Sequence, residues 1–150
     1  MVSIYMQTPA ARASFIEELT KVNRKLRTLF DARVKSQGLT HSRARLLMYL
    51  AKNEGATQVE LAAAMEMEQP SMGTLIDGLE KKGFVTRQPL ERDRRANGIF
   101  LTAKARKEAD DIIAYANHLR EQVLTGIEKS ELELATKVLR QVGRNIDTSA

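Results

Sequence analysis

The chain contains no cysteine, and that single absence removes disulfides, thiol redox sensing and thiolate zinc sites together. Prolines number only three, beside 43% hydrophobic and 29% charged residues. That balance excludes a low-complexity or disordered chain, and 150 residues suffice to bury a real core. No apolar run approaches the length of a membrane span. Met1 to Met6 carry no basic region and no long apolar stretch, so no secretory leader is expected and a cytoplasmic location is the default. The two histidines, His41 and His118, are too few and too separated for a metal site. A glycine-rich phosphate loop, a paired-histidine motif and a cysteine nucleophile are all missing, and Ser, His and Asp stand in no catalytic context. No enzyme and no cofactor is expected.

What the chain does have is charge in one place. Between Lys81 and Lys107, nine basic residues face two acidic ones, Glu91 and Asp93, a local net of +7 in a chain of net +5. The remainder is therefore net acidic by two charges. A located patch implies a located anionic partner.

Periodicity places that patch among mainly helical elements. Phe15, Leu19, Val22, Leu26, Leu29 or Phe30, and Val34 recur at steps of four and three, predicting an amphipathic helix from about Ala10 to about Ser36 that stops near Gly38. It is longer than a small domain needs for its core, so part of it is free to face another subunit. A second helix follows, with Thr40 and Ser42 as capping candidates, Leu46, Leu47, Leu50 and Ala51 inward, and Gly55 past its end. Thr57 and Glu60 have capping-box spacing ahead of a short helix from Gln58 to about Met65. Pro70 then suits a first helical turn, and Met72, Leu75, Ile76 and Leu79 face inward before Gly83. Thr57 to Lys82 thus reads as helix, tight turn, helix.

After Gly83 the period changes. Phe84 to Gln88 and Ile99 to Leu101 predict two short strands around the charged turn from Pro89 to Gly98. Thr102 caps a helix with Ala105, Ala109, Ile112, Ile113, Ala116, Leu119 and Val123 inward, ending near Thr125. Ser130 and Glu133 repeat the capping-box spacing ahead of Leu134, Ala135, Val138, Leu139, Val142 and Ile146.

A basic hairpin directly after a helix pair predicts nucleic-acid binding. The second helix of such a pair can present Gln69, Ser71 and Thr74 to base edges in the major groove. Arg92, Arg94 and Arg95 at the hairpin tip can reach phosphates or the minor groove. Arg87 and Lys82 are expected on phosphates, positioning the module without reading sequence. Asp93 is expected to pin the hairpin by pairing with a neighbouring arginine. Each feature alone has a plainer explanation, a solvated loop or ordinary helix packing. Protein or RNA contact is the rival use, although the tip has no aromatic side chain on which unpaired bases would stack.

Between Leu39 and Thr102, the residues Leu61 and Ala62, Glu68 to Ser71 (EQPS), Leu79 to Gly83 (LEKKG), Asp93 to Ala96 (DRRA), and Leu101 with Thr102 resemble the MarR family of winged-helix transcriptional regulators, most closely its SlyA-like branch. The resemblance implies a mainly α fold with a small β-hairpin wing. It would be a single domain over 1–150, with a winged helix-turn-helix lobe at 40–102, a connecting helix at 103–125, and dimerisation helices at 10–36 and 126–147. It implies a homodimer on a palindromic operator, with Gln69 to Leu79, Pro70 included, in the recognition helix. Of Arg94 and Arg95 it places one in the minor groove, the other bracing the fold. Independently of the family, two amphipathic terminal helices with no intervening domain also suggest a dimer. The resemblance further implies a pocket for small aromatic carboxylates, which Arg24, Arg27, His41 and Arg45 are placed to line. One departure stands out: related members usually carry arginine at Thr74, and here Gly73 and Gly78 share that helix, at a cost of roughly 0.5 to 1 kcal/mol each relative to alanine. A softer recognition helix is expected. Target promoter, repression or activation, and effector are not written in the sequence.

Overall fold

The computed structural model describes residues 4–149, with side chains from Thr8 onward; Met1–Ser3 of the opening stretch, and Ala150, lie outside it. In order, the elements are α1 (Ile4–Ser36), α2 (His41–Lys52), β1 (Ala56–Thr57), α3 (Gln58–Ala64), α4 (Gln69–Lys81), β2 (Val85–Pro89), β3 (Asn97–Leu101), α5 (Ala103–Val123) and α6 (Lys129–Ser149). They form two compact units, Met1–Ala114 and Tyr115–Ala150. Among the described residues no helix is long and apolar enough to cross a membrane.

The core of the first unit collects the inward positions of α2, α3 and α4, with Val34 from α1, Val85 and Ile99 from the strands, and Ala105, Ala109 and Ile112 from α5. Leu46, Leu47, Leu50, Leu61, Met72, Ile76 and Leu79 are wholly enclosed. Each contributes roughly 1.5 to 3 kcal/mol by leaving water. Among the described residues, α1 joins this core through its end, where Val34 is buried and Phe30 packs against the cluster. Phe15, Val22, Leu26 and Leu29, on the same predicted seam, stay exposed. α1 also begins earlier than its apolar seam does and runs through Pro9, which removes one amide donor from the ladder without ending the helix.

The helix ends follow local chemistry. Thr40 caps α2 through its side-chain oxygen, which accepts from the Arg43 amide at 3.3 Å. Thr57 does the same for α3 at the Glu60 amide, 3.2 Å away. The reciprocal half of that box does not form, because the Glu60 carboxylate pairs with Arg92 instead. α3 closes with Glu66 in the left-handed region, φ 53°. The Met67 amide donates to Ala62 and the Glu66 amide to Ala63, so a left-handed closing turn forms without the glycine that usually makes it. α4 closes likewise at Gly83, φ 75°, and buries Phe84 just beyond. At the start of α5 the Thr102 hydroxyl donates to the Gly83 carbonyl at 2.7 Å and accepts from the Ala105 amide at 3.2 Å. One threonine thus caps α5 and ties it to the end of α4.

The hairpin pairs Val85 with Leu101 through Pro89 with Asn97, antiparallel. The sheet has a third strand that hydrophobic alternation does not reveal: β1 adds Ala56 opposite Ile99 and Thr57 opposite Gly98. Two residues are too few to display a period of two. In the second unit, α6 starts ahead of the predicted cap. The Glu128 amide donates to the Glu131 carboxylate at 3.0 Å, replacing the expected Ser130 and Glu133 pairing. No residue of α6 is buried, and Leu134, Val138, Leu139 and Ile146 are 41–64% exposed.

Candidate nucleic-acid interface

α3 and α4 are joined by a four-residue turn, and the close of α4 leads directly into the hairpin. Met72, Ile76 and Leu79 take the inner face of α4, which leaves Gln69, Pro70, Ser71, Thr74 and Asp77 outside. Pro70 falls in the first turn, where its missing amide costs nothing. The Thr74 hydroxyl donates to the Pro70 carbonyl at 3.1 Å, so its one proton is spent on its own helix. The outward surface it offers is a methyl group and an oxygen lone pair.

Gly73 and Gly78 have packing partners. A Cβ at Gly73 would stand 3.1 Å from Gln58 Nε2, and one at Gly78 would stand 2.8 Å from Arg43 Nη2. Gln58 lies across Gly73 and donates to the Gln69 carbonyl at 3.1 Å, fastening the start of α4 to α3. The two glycines therefore admit side chains from α3 and α2 across the helix.

The wing tip is a tight, self-bonded turn. The Asp93 carboxylate accepts from the Arg95 amide at 3.0 Å and lies 3.6 Å from Arg95 Nε, while its carbonyl accepts from the Ala96 amide. The Leu90 amide, donating to Ala96 at 3.0 Å, closes the loop. The turn leaves the Arg95 side chain 95% exposed. Arg94 is exposed and has no partner among the described residues. Lys82, at the C-cap of α4, is exposed too, and its carbonyl accepts from Lys104 Nζ at 3.3 Å.

Four other cations of the +7 stretch are already answered. Arg87 is held by Asp77 at 2.6 Å and Glu80 at 2.9 Å, and its pKa is raised, first by the hydrogen bond to Asp77. The guanidinium expected on phosphate is thus engaged by two carboxylates of α4. Arg92 pairs with Glu60 at 2.6 Å and Arg106 with Glu54 at 2.7 Å. Lys104 lies 4.7 Å from the Phe84 ring centroid. Counting Glu54, Glu60, Asp77 and Glu80, which fold against the stretch from outside it, takes its net charge from +7 to +3. Lys81, Lys82, Arg94 and Lys107 have no carboxylate partner among the described residues, while Arg95 lies 3.6 Å from Asp93, so the net surplus falls at the end of α4 and the start of α5 and the wing tip offers exposed guanidinium groups beside Glu91 and Asp93. Asp77 and Glu80 on one helix face were the only sequence signal for such pairing, and nothing local pointed to position 87.

Of the four proposed effector residues, His41 and Arg27 meet at one carboxylate, that of Asp31. His41 Nδ1 and Asp31 Oδ1 are 2.8 Å apart, and the imidazole meets Phe30 edge-on with centroids 5.7 Å apart. Arg27 shares the same carboxylate at 3.6 Å. Arg24 and Arg45 are exposed, outside this cluster. A cavity of about 680 Å³ opens instead beside the wing, between Tyr49, Glu54, Glu60, Leu90, Arg92 and Phe100, with none of the four in its lining.

Helix, turn, helix and an antiparallel hairpin in this order make a winged helix-turn-helix, with a third short strand completing the sheet. Residues 37–96 match the family model described as MarR family. The crystal structure of transcriptional regulator PA3341 is 38% identical, with a TM-score of 0.79 over 89% of this chain and 98% of that one. The transcriptional regulator SlyA is 21% identical, with a TM-score of 0.78 over 90% and 95%. Streptococcus pneumoniae FabT, solved in complex with DNA, is 17% identical, with a TM-score of 0.81 over 93% and 99%. The chain belongs to the MarR family, whose members are transcriptional regulators and not enzymes.

Proposed function

We propose that this regulator acts as a homodimer on a palindromic duplex operator in the cytoplasm, with α4 in the major groove and the wing in the minor groove. The observation that carries it is the pair of exposed wing arginines, Arg94 without a partner among the described residues and Arg95 almost wholly exposed, on a braced turn of the hairpin that follows α4. A narrow groove of negative potential attracts such guanidinium groups. Gln69, Pro70, Ser71 and Thr74 form the reading surface, Lys82 positions the module on phosphate, and Arg92 joins it where it can exchange Glu60 for the backbone. FabT, of the same fold, is solved on DNA. The affinity for the SlyA-like branch rests on the EQPS, LEKKG and DRRA residues. An anionic effector at His41 and Arg27 would have to displace the Asp31 carboxylate that both already share.

The test is duplex binding across a salt series. Affinity should fall steeply with salt, and Arg94→Ala and Arg95→Ala should each weaken binding on the order of tenfold, flattening the log-log slope by about 0.9 per lost phosphate contact. Unchanged binding by both variants would remove the wing from the interface. Stronger binding to single-stranded RNA than to any duplex would favour the rival use of the module.

A further inference from the structure

The open face of α4 carries negative charge of its own. Asp77 lies one turn beyond Thr74 on the exposed side, and Glu80 follows on the edge turned toward β2. A polyanion docking on Ser71 and Thr74 would meet these carboxylates at the place of contact, where like charges repel most. Arg87 reaches both from the adjoining strand, giving Nη2 to Asp77 and Nη1 to Glu80. Its side chain is 27% exposed, whereas that of Asp77 is 62% exposed. A guanidinium is a planar fork that can serve two acceptors at once, and this one spends its two terminal nitrogens on two carboxylates of a single helix. The group is always charged, so the cluster holds one net negative charge instead of two.

We infer that Arg87 is a charge-masking and positioning residue for DNA recognition: it neutralises Asp77 and Glu80 and holds α4 against β2, so that the duplex meets the polar row of α4 and not two bare carboxylates. This rests on the DNA-binding reading above. It gives Arg87 a role distinct from that of Arg94 and Arg95, whose charges face outward.

The experiment compares four full-length proteins: the parent, Arg87→Gln, Asp77→Asn with Glu80→Gln, and the triple variant. Each binds an operator selected by the parent from random duplex, at low and moderate salt, with thermal unfolding to establish that it folds. Masking predicts that Arg87→Gln binds on the order of tenfold more weakly. The deficit narrows as salt screens the exposed carboxylates, and the triple variant returns to within about threefold of the parent. A triple variant as weak as Arg87→Gln overturns the assignment in favour of a direct phosphate contact. A deficit unmoved by salt overturns it in favour of simple distortion of the helix. If Arg87→Gln does not fold, the triple variant is set against the pair lacking only the carboxylates: equal binding supports masking, and a triple weaker than the pair, with a slope flatter by about 0.9, refutes it. A parent that binds no duplex defeats the DNA-binding reading itself, a result distinct from those that require a binding parent.

Discussion

Thr74 stands on the exposed face of α4, and its hydroxyl donates to the Pro70 carbonyl one turn back. A threonine spent in this way contributes shape and a methyl group to base reading more than it contributes affinity. Thr74→Ala should therefore alter preference among operator variants while changing affinity for random duplex by no more than about twofold. Thr74→Arg should tighten binding to all duplexes and steepen the salt slope by about 0.9. Competition between operator and random duplex separates the two effects, and a Thr74→Arg protein with an unchanged slope would place position 74 away from the backbone. Asp93 illustrates the other kind of residue. Its carboxylate and carbonyl shape the turn that carries Arg94 and Arg95, so the part we propose for it in DNA binding passes through the backbone.

Each helix of the winged helix-turn-helix is delimited by chemistry within a few residues, and where a neighbour intervened the outcome changed. Thr57 caps α3, but Glu60 turned to Arg92 rather than back to the helix start, because a guanidinium from the wing is a stronger partner than a single amide. The least comfortable helix end is the close of α3. Glu66 sits at φ 53°, a conformation that costs an L-residue roughly 1 to 2 kcal/mol and a glycine almost nothing, and among the described residues its side chain has no partner that would compensate. Glu66→Gly should raise stability by roughly 0.5 to 1 kcal/mol after the extra entropy of an unfolded glycine is offset. Urea unfolding gives the number, and a loss of stability would mean that the Glu66 side chain does work the geometry hides. The α4 glycines argue differently from their propensity: Gln58 and Arg43 lie over them, so part of the cost to the helix is returned as contact with α3 and α2.

At the scale of the molecule, two apolar rows stay exposed among the described residues. Phe15, Val22 and Leu26 line α1, and Leu134, Val138, Leu139 and Ile146 line α6. A second copy is the cover we propose. Val138→Glu would place a charge in that contact, where an unpaired carboxylate is costly enough to raise the dimer dissociation constant on the order of a hundredfold. Light scattering on dilution reads it, and an unchanged mass would exclude α6 from the interface. Operator affinity should fall with the dimer, since half-sites held one helical turn apart are read together only by a pair.

The sequence by itself determined the order of the helices, most of their caps, the hairpin and the wing arginines, because periodicity, capping and turn chemistry are settled among residues within a few positions of one another. Only the tertiary structure decided which charges remain to be offered. Arg87 meets Asp77 ten positions away and Arg92 meets Glu60 at a separation of 32, distances over which the chain must first fold for the partners to be neighbours. The same holds for β1, two residues that become a strand only because β3 lies beside them. A stretch that is +7 along the chain becomes +3 in space, and what is left lies mainly at the end of α4 and the start of α5, with the wing arginines exposed beside their own acidic neighbours.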